Sequence, residues 1–324
     1  MMSTIAVDAM GGDSAPEEVV KGAILAKKEG VDVILSGDEN LIKSYLGNEK
    51  IPVINYPQVI SMDDDPAKAI RSNKDSSIIG ALNLVKEKKA DAVFSAGSTG
   101  ATLIGAISVL GKIKGVTRPT IASVLPGKEK EVILVDSGAN LEVKPKVLYQ
   151  FAIMGSKLSE LLFDIENPRI GLINNGEESS KGRELEKATF KLLKSSQLNF
   201  IGNVEGKDFA NSKVDVFVTD GFTGNVVLKT LQGVAKLQQD LISKSLKENL
   251  FKPLLVPVKN AISPVKSMLN PNSTNGSYLL GVNGLVIIGH GSSNSEAIKN
   301  ALLFTSRAVE KRFINKFTEV SSEL

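Results

Sequence analysis

Two glycine-containing loops carry the strongest indication of chemistry in this sequence. Residues 91–100 align without gaps with residues 215–224, and Asp, Gly, Thr and Gly recur at the same offsets. Each segment follows a short apolar run and precedes an amphipathic stretch, so each is predicted to join a strand to the start of a helix. Unpaired N–H groups and the positive end of the helix dipole bind anions at such a position. The repeated loop therefore predicts a phosphate-type ligand, the alternative being ordinary turns with hydroxyl caps.

Polar side chains in other loops extend this candidate site. Lys181 lies in a glycine-bounded loop and can neutralise a phosphate as a point charge, unless it is a solvated loop lysine. His290, the single histidine, lies between two glycines, and its ordinary pKa of about 6.5 suits acid–base chemistry as well as a structural role. For the acidic members of the remaining set, capping a helix or holding a turn is the alternative. The residues predicted to bind phosphate or substrate are Asp8, Gly11, Gly12, Gly97, Ser98, Thr99, Gly100, Asp136, Asn140, Asp220, Gly221, Thr223 and Gly224.

Missing residue types and motifs exclude several kinds of chemistry. The chain has no cysteine, which removes disulfides, cysteine-ligated zinc and a thiol nucleophile. No metal site and no cofactor are expected. The P-loop pattern is absent, and the one G-x-G, at residues 289–291, does not continue as a dinucleotide fingerprint. No G-x-S-x-G motif supports a serine hydrolase built on His290. Free phosphate or a simple phospho-ligand is therefore favoured over NAD or ATP.

Composition places the chain among ordinary globular proteins. It has 324 residues, a formal net charge of +3 and 42% hydrophobic residues. A weak charge balance, no tryptophan and only 5% aromatic residues argue against nucleic acid as a partner. No apolar run approaches the roughly 20 residues that cross a bilayer, and the first residues do not resemble a signal peptide. We expect a cytoplasmic protein.

The apolar pattern predicts a three-layer α/β/α fold with a mostly parallel sheet. Continuous β-branched runs are typical of strands covered on both faces, and helix-like stretches separate them. Because no Pro/Gly/Ser linker divides the chain, residues 1–324 are expected to form one domain. The carboxyl ends of the strands, where open α/β sheets bind ligands, are expected to bring the loops to one edge. The predicted strands are 4–7, 31–35, 51–54, 92–94, 132–135, 170–173, 214–218 and 285–288.

A helical excursion at about 235–275 stands apart from this alternation. One helix is predicted over 223–250, and the segment 251–270 then mixes apolar residues with lysines. Three prolines must break that segment into short turns. An apolar, basic excursion can dock on an anionic membrane. A helical hairpin packed at a dimer interface is the alternative.

Taken together, these motifs resemble the bacterial phosphate acyltransferase family. The resemblance implies an isocitrate/isopropylmalate dehydrogenase-like α/β/α fold, related to phosphotransacetylases. It implies transfer of a fatty acyl group from acyl carrier protein to inorganic phosphate, giving acyl phosphate for phospholipid synthesis. It also implies a homodimer, peripheral membrane contact, and catalytic roles for Lys181 and Asn225. The matching segments are 5–13 with Pro16, 95–101, 135–140, 181–182, 219–226 and 289–293.

Such a reaction suits the residues present. Phosphate is already anionic near pH 7, and a thiol with a pKa of about 8.5 is a good leaving group, so no strong base is needed. We expect the glycine loops and Lys181 to hold phosphate, and Asn225 with a backbone N–H to stabilise the oxyanion. His290 is expected to orient phosphate or to protonate the departing sulfur.

Partners follow from the same resemblance. An acidic carrier protein would dock on a basic surface, for which Lys112, Lys114 and Arg118 are candidates, and the acyl chain would lie in a groove from residues 226–269. The acyl-phosphate:glycerol-3-phosphate acyltransferase is a further possible partner. Open alternatives are an acetyl- or butyryl-CoA phosphotransferase, a dinucleotide-dependent decarboxylating dehydrogenase and a non-enzymatic phospho-ligand sensor.

Overall fold

A computed structural model describes residues 3–249 and 276–319 of the chain, and a single sheet of eleven strands runs through them. Its order is β3-β2-β1-β4-β11-β10-β5-β6-β9-β7-β8. All eight predicted strands are present, and β5, β8 and β10 were not predicted. The strands are β1 (Thr4–Asp8), β2 (Asp32–Gly37), β3 (Val53–Asn55), β4 (Ala92–Ser95), β5 (Thr120–Leu125), β6 (Val132–Val135), β7 (Ile170–Ile173), β8 (Phe200–Val204), β9 (Val216–Val218), β10 (Ser277–Leu280) and β11 (Leu285–Ile288).

Helices follow most strands, as the alternation predicts. No described helix combines the length and apolarity needed to cross a membrane. Local signals account for two helix starts: Pro16 immediately precedes α1, and the Asp38 side chain accepts a hydrogen bond from the Leu41 amide at the start of α2. The helices are α1 (Glu17–Lys28), α2 (Glu39–Leu46), α3 (Pro66–Ser72), α4 (Ser77–Lys86), α5 (Thr99–Leu110), α6 (Pro145–Phe163), α7 (Glu184–Lys194), α8 (Gly221–Asn249), α9 (Ser295–Glu310) and α10 (Phe313–Thr318), with a 3₁₀ turn at Gly206–Asn211.

Helices cover both faces of the sheet, which confirms the predicted three-layer α/β/α architecture. One face packs mainly against α1, α6, α9 and α10 in the largest apolar cluster. On the other face, α3, α4 and α5 cover the strands around β4. The 3₁₀ turn and α8 cover the strands around β9 on that same face. On the second face, two separate groups of helices thus pack against the two halves of the sheet.

The two halves of the sheet run in opposite directions. Strands β3, β2, β1, β4 and β11 are parallel, and so are β6, β9, β7 and β8. Three successive antiparallel pairings, β11–β10, β10–β5 and β5–β6, separate the two blocks. An odd number of reversals leaves the blocks antiparallel to each other. The prediction that all the glycine loops share one edge of the sheet is therefore wrong.

The repeated segments occupy equivalent positions in the two blocks. The Asp91 carboxylate accepts the backbone N–H of Thr4, at the start of the neighbouring strand β1, at 2.8 Å. Asp215 accepts the N–H of Arg169, next to the neighbouring strand β7, at 2.7 Å. The caps differ, since Ser98 caps α5 whereas the Asp220 carboxylate accepts the Thr223 amide at 2.7 Å in α8. The two segments thus share the aspartate that bonds the neighbouring strand. The helix begins two residues later in the first segment than in the second.

The long predicted helix is present as α8 (Gly221–Asn249). The predicted excursion at 235–275 begins within it, but the segment 251–270 lies outside the described residues. Its hairpin form and its membrane contact stay predictions, as does the single-domain organisation.

Candidate active site

One large cavity, of about 690 Å³, lies between the two blocks of the sheet. Loops of both blocks reach it: the first block contributes Thr99 and His290, and the second contributes Gly138 and Asn225. The start of α5, strands β5 and β10, and one side of α8 form its walls. The cavity therefore brings together predicted site residues that follow the carboxyl ends of strands running in opposite directions.

His290 forms one side of the polar end of this cavity. The Ser292 backbone N–H donates to its Nδ1 at 3.3 Å, and the Ser292 hydroxyl lies 2.9 Å from the same nitrogen. Because a backbone N–H can only donate, Nδ1 accepts, and the neutral ring carries its proton on Nε2. Desolvation and the nearby charge of Lys229 lower the pKa of His290 against the opposing effect of Asp13. The imidazole is thus a neutral hydrogen-bond donor near neutral pH.

Asn225 lines the cavity from the first turns of α8, next to the loop that follows β6. A Cβ at Gly138 would lie 3.6 Å from Asn225 Oδ1. Gly138 has a φ of +145°, a conformation that L side chains rarely adopt. The glycine therefore lets this loop pass directly beside the Asn225 amide. We define the polar end of the cavity as Gly138, Asn225, Lys229 and His290.

Asp136 holds the loop after β6 in shape. Its fully buried carboxylate accepts the N–H groups of Gly138 at 3.0 Å, Ala139 at 2.9 Å and Asn140 at 2.8 Å. The Asn140 side chain donates a further hydrogen bond at 2.8 Å and also reaches the Pro119 carbonyl. Burial raises the pKa of Asp136, while these donors favour its ionised form. Asp136 and Asn140 are thus framework residues of the site, and neither lines the cavity.

The glycines at the start of α8 seat the helix on that framework. A Cβ at Gly221 would lie 2.7 Å from the Asn140 backbone nitrogen, and one at Gly224 would lie 1.8 Å from the Asp136 carbonyl oxygen. Asp220, buried at the same junction, holds the Thr223 amide and forms an ion pair with Arg183. Asp220, Gly221 and Gly224 therefore help to position Asn225. The two glycines allow the start of α8 to lie close to the loop after β6.

Three serine hydroxyls form a polar strip across the cavity wall. Ser137 donates to the Ile121 carbonyl at 3.2 Å, and Ser123 donates to Ser137 at 2.8 Å. Ser123 Oγ also lies 2.8 Å from Ser277 Oγ. With its own proton already given to Ser137, Ser123 accepts from Ser277. This chain runs from the loop after β6 across β5 to β10.

The other predicted glycine loops surround a much smaller cavity. It has room for about 10 Å³ and is lined by Asp8, Gly11, Gly97 and Ser98 among others. Burial raises the pKa of Asp8, which accepts a hydrogen bond from Ser95 at 2.6 Å. A Cβ at Gly11 would lie 2.8 Å from the Gly97 nitrogen, so these two loops touch through their backbones. The space fits a water molecule and not a phosphate.

Two further predicted glycines also pack against protein. Gly12, with a φ of +125°, faces the Gly291 carbonyl, and a Cβ at Gly100 would lie 2.7 Å from the Pro66 ring. Of the first repeated segment, residues 91–100, Phe94 and Thr99 reach the large cavity, and none of its glycines does. Phosphate binding by Asp8, Gly11, Gly12, Gly97, Ser98 and Gly100 stays a prediction.

Lys181 lies outside the large cavity in this single chain. It is exposed, and its aliphatic stem passes beside Gly176, where a Cβ would meet Lys181 Cγ at 2.9 Å. Its loop is nevertheless tied to the start of α8, because Arg183 bonds both Glu186 and Asp220. The catalytic role of Lys181 stays a prediction.

An apolar wall lines the cavity beyond its polar end. Leu125, Phe209, Leu228 and Leu231 belong to one apolar cluster, and all four face the cavity. Further along α8, Val234 and Ala235 continue the same lining. We use "apolar wall" for Leu125, Phe209, Leu228 and Leu231. The acyl groove was predicted to begin at residue 226; residues of α8 beyond that position line this cavity, and acyl binding there stays a prediction.

Two lysines in the cavity lining were not predicted. Lys128 follows β5, and Lys229 lies four residues after Asn225 on α8. The spacing from Asn225 was the available signal, because residues four apart share a helix face. No carboxylate is among the described lining residues, and in the described ranges no group of three or more His, Cys, Asp or Glu could hold a metal ion. The lining is therefore cationic and suited to an anion.

Comparison with solved structures shows the fold. The phosphotransacetylase EutD from Staphylococcus aureus superposes with a TM-score of 0.62 at 18% identity, covering 94% of each chain. The 4-hydroxythreonine-4-phosphate dehydrogenase from Klebsiella pneumoniae superposes with a TM-score of 0.54 at 13% identity, covering 94% of this chain and 98% of that one. Both likenesses confirm the predicted dehydrogenase-like and phosphotransacetylase-like α/β/α fold.

Comparison of sequences shows the family. Residues 3–316 match the family described as "Fatty acid synthesis protein". The phosphate acyltransferase of Pelotomaculum thermopropionicum is 45% identical over 319 residues, covering 96% of this chain and 92% of the relative. That of Halothermothrix orenii is 43% identical over 320 residues, covering 96% of each. With the site loops and the fold in agreement, these matches show that the chain belongs to the phosphate acyltransferase family.

Proposed function

We propose that this chain transfers a fatty acyl group from acyl carrier protein to inorganic phosphate, and so makes acyl phosphate for phospholipid synthesis. The observation that carries the proposal is the single cavity in which a cationic polar end adjoins an apolar wall. Phosphate and the thioester require the polar end, and a fatty chain requires the apolar wall. The family's printed name, phosphate acyltransferase, supports the same reaction.

The chemistry needs positioning and charge stabilisation more than a strong base. An oxygen of hydrogen phosphate attacks the thioester carbonyl carbon, and a tetrahedral oxyanion forms. Its collapse breaks the C–S bond, and the proton of hydrogen phosphate ends on the departing sulfur. Acyl phosphate and the free thiol are the products. Fixed hydrogen-bond donors aimed at the oxyanion supply most of the rate acceleration in such a reaction.

Three residues are assigned roles in this proposal. The Asn225 amide donates to the oxyanion, and its place in the cavity supports that role. The Nε2–H of His290 donates to phosphate or to the leaving sulfur, in keeping with the neutral ring described above. Lys181 contributes positive charge, supported by the Arg183–Asp220 ion pair that ties its loop to α8.

Surface features support the proposed partners. Lys112, Lys114 and Arg118 are exposed, and Lys112 and Arg118 donate to backbone carbonyls while keeping their charge, which suits an acidic carrier protein. Along α8 a stripe of exposed apolar side chains spans roughly 120° of the helix at its 3.6-residue period, which supports a homodimer. The stripe comprises Phe222, Val226, Val234, Leu237 and Leu241.

Peripheral membrane association and delivery of acyl phosphate to the glycerol-3-phosphate acyltransferase complete the proposal. Both rest on the family resemblance and on residues 251–270. Flotation with anionic liposomes compares the full chain with a variant lacking 251–270. Equal binding of the two proteins would remove this segment as the membrane contact.

The test of function is to mix palmitoyl-carrier protein with phosphate and enzyme. Acyl phosphate is followed by its phosphorus NMR signal, and the released carrier thiol by a thiol reagent. Because the chain has no cysteine, the reagent reports the carrier alone. We expect thiol release that depends on phosphate and matches the acyl phosphate formed.

Lys181→Ala tests the proposed cation. We expect at least a 100-fold loss of turnover, of the order that a lost charge-stabilising contact costs. Lys187→Ala is the matched control, since Lys187 is an exposed lysine on α7 that pairs with Glu184. Normal turnover by Lys181→Ala would remove this lysine from the mechanism. Turnover with acetyl- or butyryl-CoA only would favour a CoA phosphotransferase, and phosphate binding with no turnover of any thioester would favour a sensor.

A further inference from the structure

Lys229 is the cation that the structure places beside the predicted catalytic groups. It lies one helical turn after Asn225, and Gln232 follows at the next position of the same face. All three side chains line the cavity. Residues four apart on a helix have Cβ atoms about 5–6 Å apart, which is the span of one small oxyanion held between two side chains.

The charge of Lys229 is uncompensated where the structure describes the chain. It forms no ion pair with any described residue, and no described carboxylate lines the cavity. Several other described lysines are paired: Lys187 pairs with Glu184, and Lys207 and Lys213 pair with Glu177. Lys229 is exposed, so its unpaired charge is open to an anion that enters the cavity from solvent.

Lys229 shares the polar end of the cavity with His290. Both residues line the cavity, and the positive charge of Lys229 helps to lower the pKa of His290. The other charged group near the ring is Asp13, from the loop after β1, which acts in the opposite sense. Lys128, from the loop after β5, is the remaining cation in the described lining.

We propose that Lys229 binds inorganic phosphate in the large cavity, and that it holds the nucleophile between Asn225 and His290. The inference rests on the proposed function, which it deepens by naming the phosphate-binding cation. It differs from the family-based assignment of Lys181, whose side chain does not line this cavity. The positive charge of Lys229 attracts the dianion and stabilises the charge that moves onto the carbonyl oxygen.

The single histidine makes a direct binding assay available. The NMR signal of the His290 ring needs no assignment, because no other histidine exists. Its pKa is measured with and without inorganic phosphate in the wild type and in Lys229→Met. Lys236→Met is the matched control, since Lys236 is exposed on the same helix and does not line the cavity. Lys229→Arg keeps the charge, and urea unfolding of each variant verifies that it folds.

We expect phosphate to raise the His290 pKa in the wild type and in Lys236→Met. In Lys229→Met the phosphate-free pKa is higher, and phosphate affinity and KM for phosphate weaken roughly 10- to 100-fold, the value of a hydrogen bond to a charged group. Lys229→Arg recovers part of the affinity. Wild-type phosphate affinity in Lys229→Met overturns the proposal.

Two further outcomes separate the sources of phosphate and the two proposals. A His290 shift that appears with holo carrier protein but not with inorganic phosphate would assign Lys229 to the phosphate of the carrier's arm and overturn the inference. A wild type that binds phosphate through Lys229 but makes no acyl phosphate would overturn the proposed function and leave the phosphate site standing.

Discussion

Gly224→Ala tests whether the seating of α8 on the β6 loop positions the reaction. An alanine Cβ at this place would lie 1.8 Å from the Asp136 carbonyl oxygen, whereas real Cβ contacts are essentially never below 3.0 Å. The helix and the loop must therefore separate by about 1.2 Å or more. Asn225 is the next residue and moves with the helix. The substitution thus displaces the proposed oxyanion donor without removing any polar group.

A misplacement of about 1 Å costs roughly 100-fold in rate, so kcat/KM for the carrier thioester should fall by about that factor. Overpacking at the same contact should reduce the free energy of unfolding by roughly 1–3 kcal/mol. Phosphate-dependent thiol release measures the first effect, and urea unfolding monitored by circular dichroism measures the second.

Gly233→Ala is the internal control, because among the described residues no atom outside the neighbouring turns of α8 lies within 4 Å of a Cβ at that position. It should leave turnover unchanged and raise the unfolding free energy by about 0.5–1 kcal/mol through helix propensity. The reasoning is refuted if Gly224→Ala retains wild-type kcat/KM, since close seating of α8 would then be irrelevant to catalysis.

Two further predictions concern the framework. Asp136→Ala removes the acceptor of five N–H donors and should lower the urea-unfolding free energy by roughly 3–5 kcal/mol, and a loss below 1 kcal/mol would contradict that role. Burial alone would raise the pKa of Asp215, but hydrogen bonds from Arg169 and Lys130 outweigh it and lower that pKa. The resulting stability is present above the unfolded-state pKa of about 3.9 and is lost as pH falls through the folded-state value. Asp215→Asn should therefore be less stable than wild type at pH 6, with the difference shrinking in unfolding curves taken below pH 4; a constant difference would exclude this linkage.

The strands that can be predicted from the sequence are those with an uninterrupted apolar run. Runs such as 132–135 and 170–173 are buried on both faces, and their continuous apolar character reveals them. Strand β5 escapes the same rule because Ser123 interrupts it, and β10 escapes it because it begins with Ser277 and has only three apolar residues after it. Strand β8 escapes it because Gly202, with a φ of +116°, accompanies a shift of register against β7.

Missing β5 and β10 also explains the error about the sheet edge. Without these two strands the apolar runs describe an unbroken parallel order, and every loop would emerge on the same side. The reversals lie in the strands that line the cavity. Functional strands commonly break local sequence rules, and here they conceal the direction of half the sheet.

For the site, residue types in the sequence identified the loops but not which of their residues line the cavity. Asn225 and His290 line the cavity, as expected, whereas the glycines at 221 and 224 contact protein. From sequence alone, a glycine that admits a ligand and a glycine that admits another loop look the same. Lys229 was overlooked because an isolated lysine on a helix is usually solvated, and only the three-dimensional lining distinguishes it.

A single helix, α8, contributes both to the polar end of the cavity and to the surface that a hydrocarbon tail would touch. Its lining residues run from Asn225 to Gln238, a distance of about 20 Å at 1.5 Å per residue. Changing the length of a loop cannot adjust that distance, and inserting one residue would turn everything beyond it by about 100°. A lineage that shifts its preferred chain length must therefore exchange individual side chains along this helix, one turn at a time, while the chemistry at its beginning stays where it is.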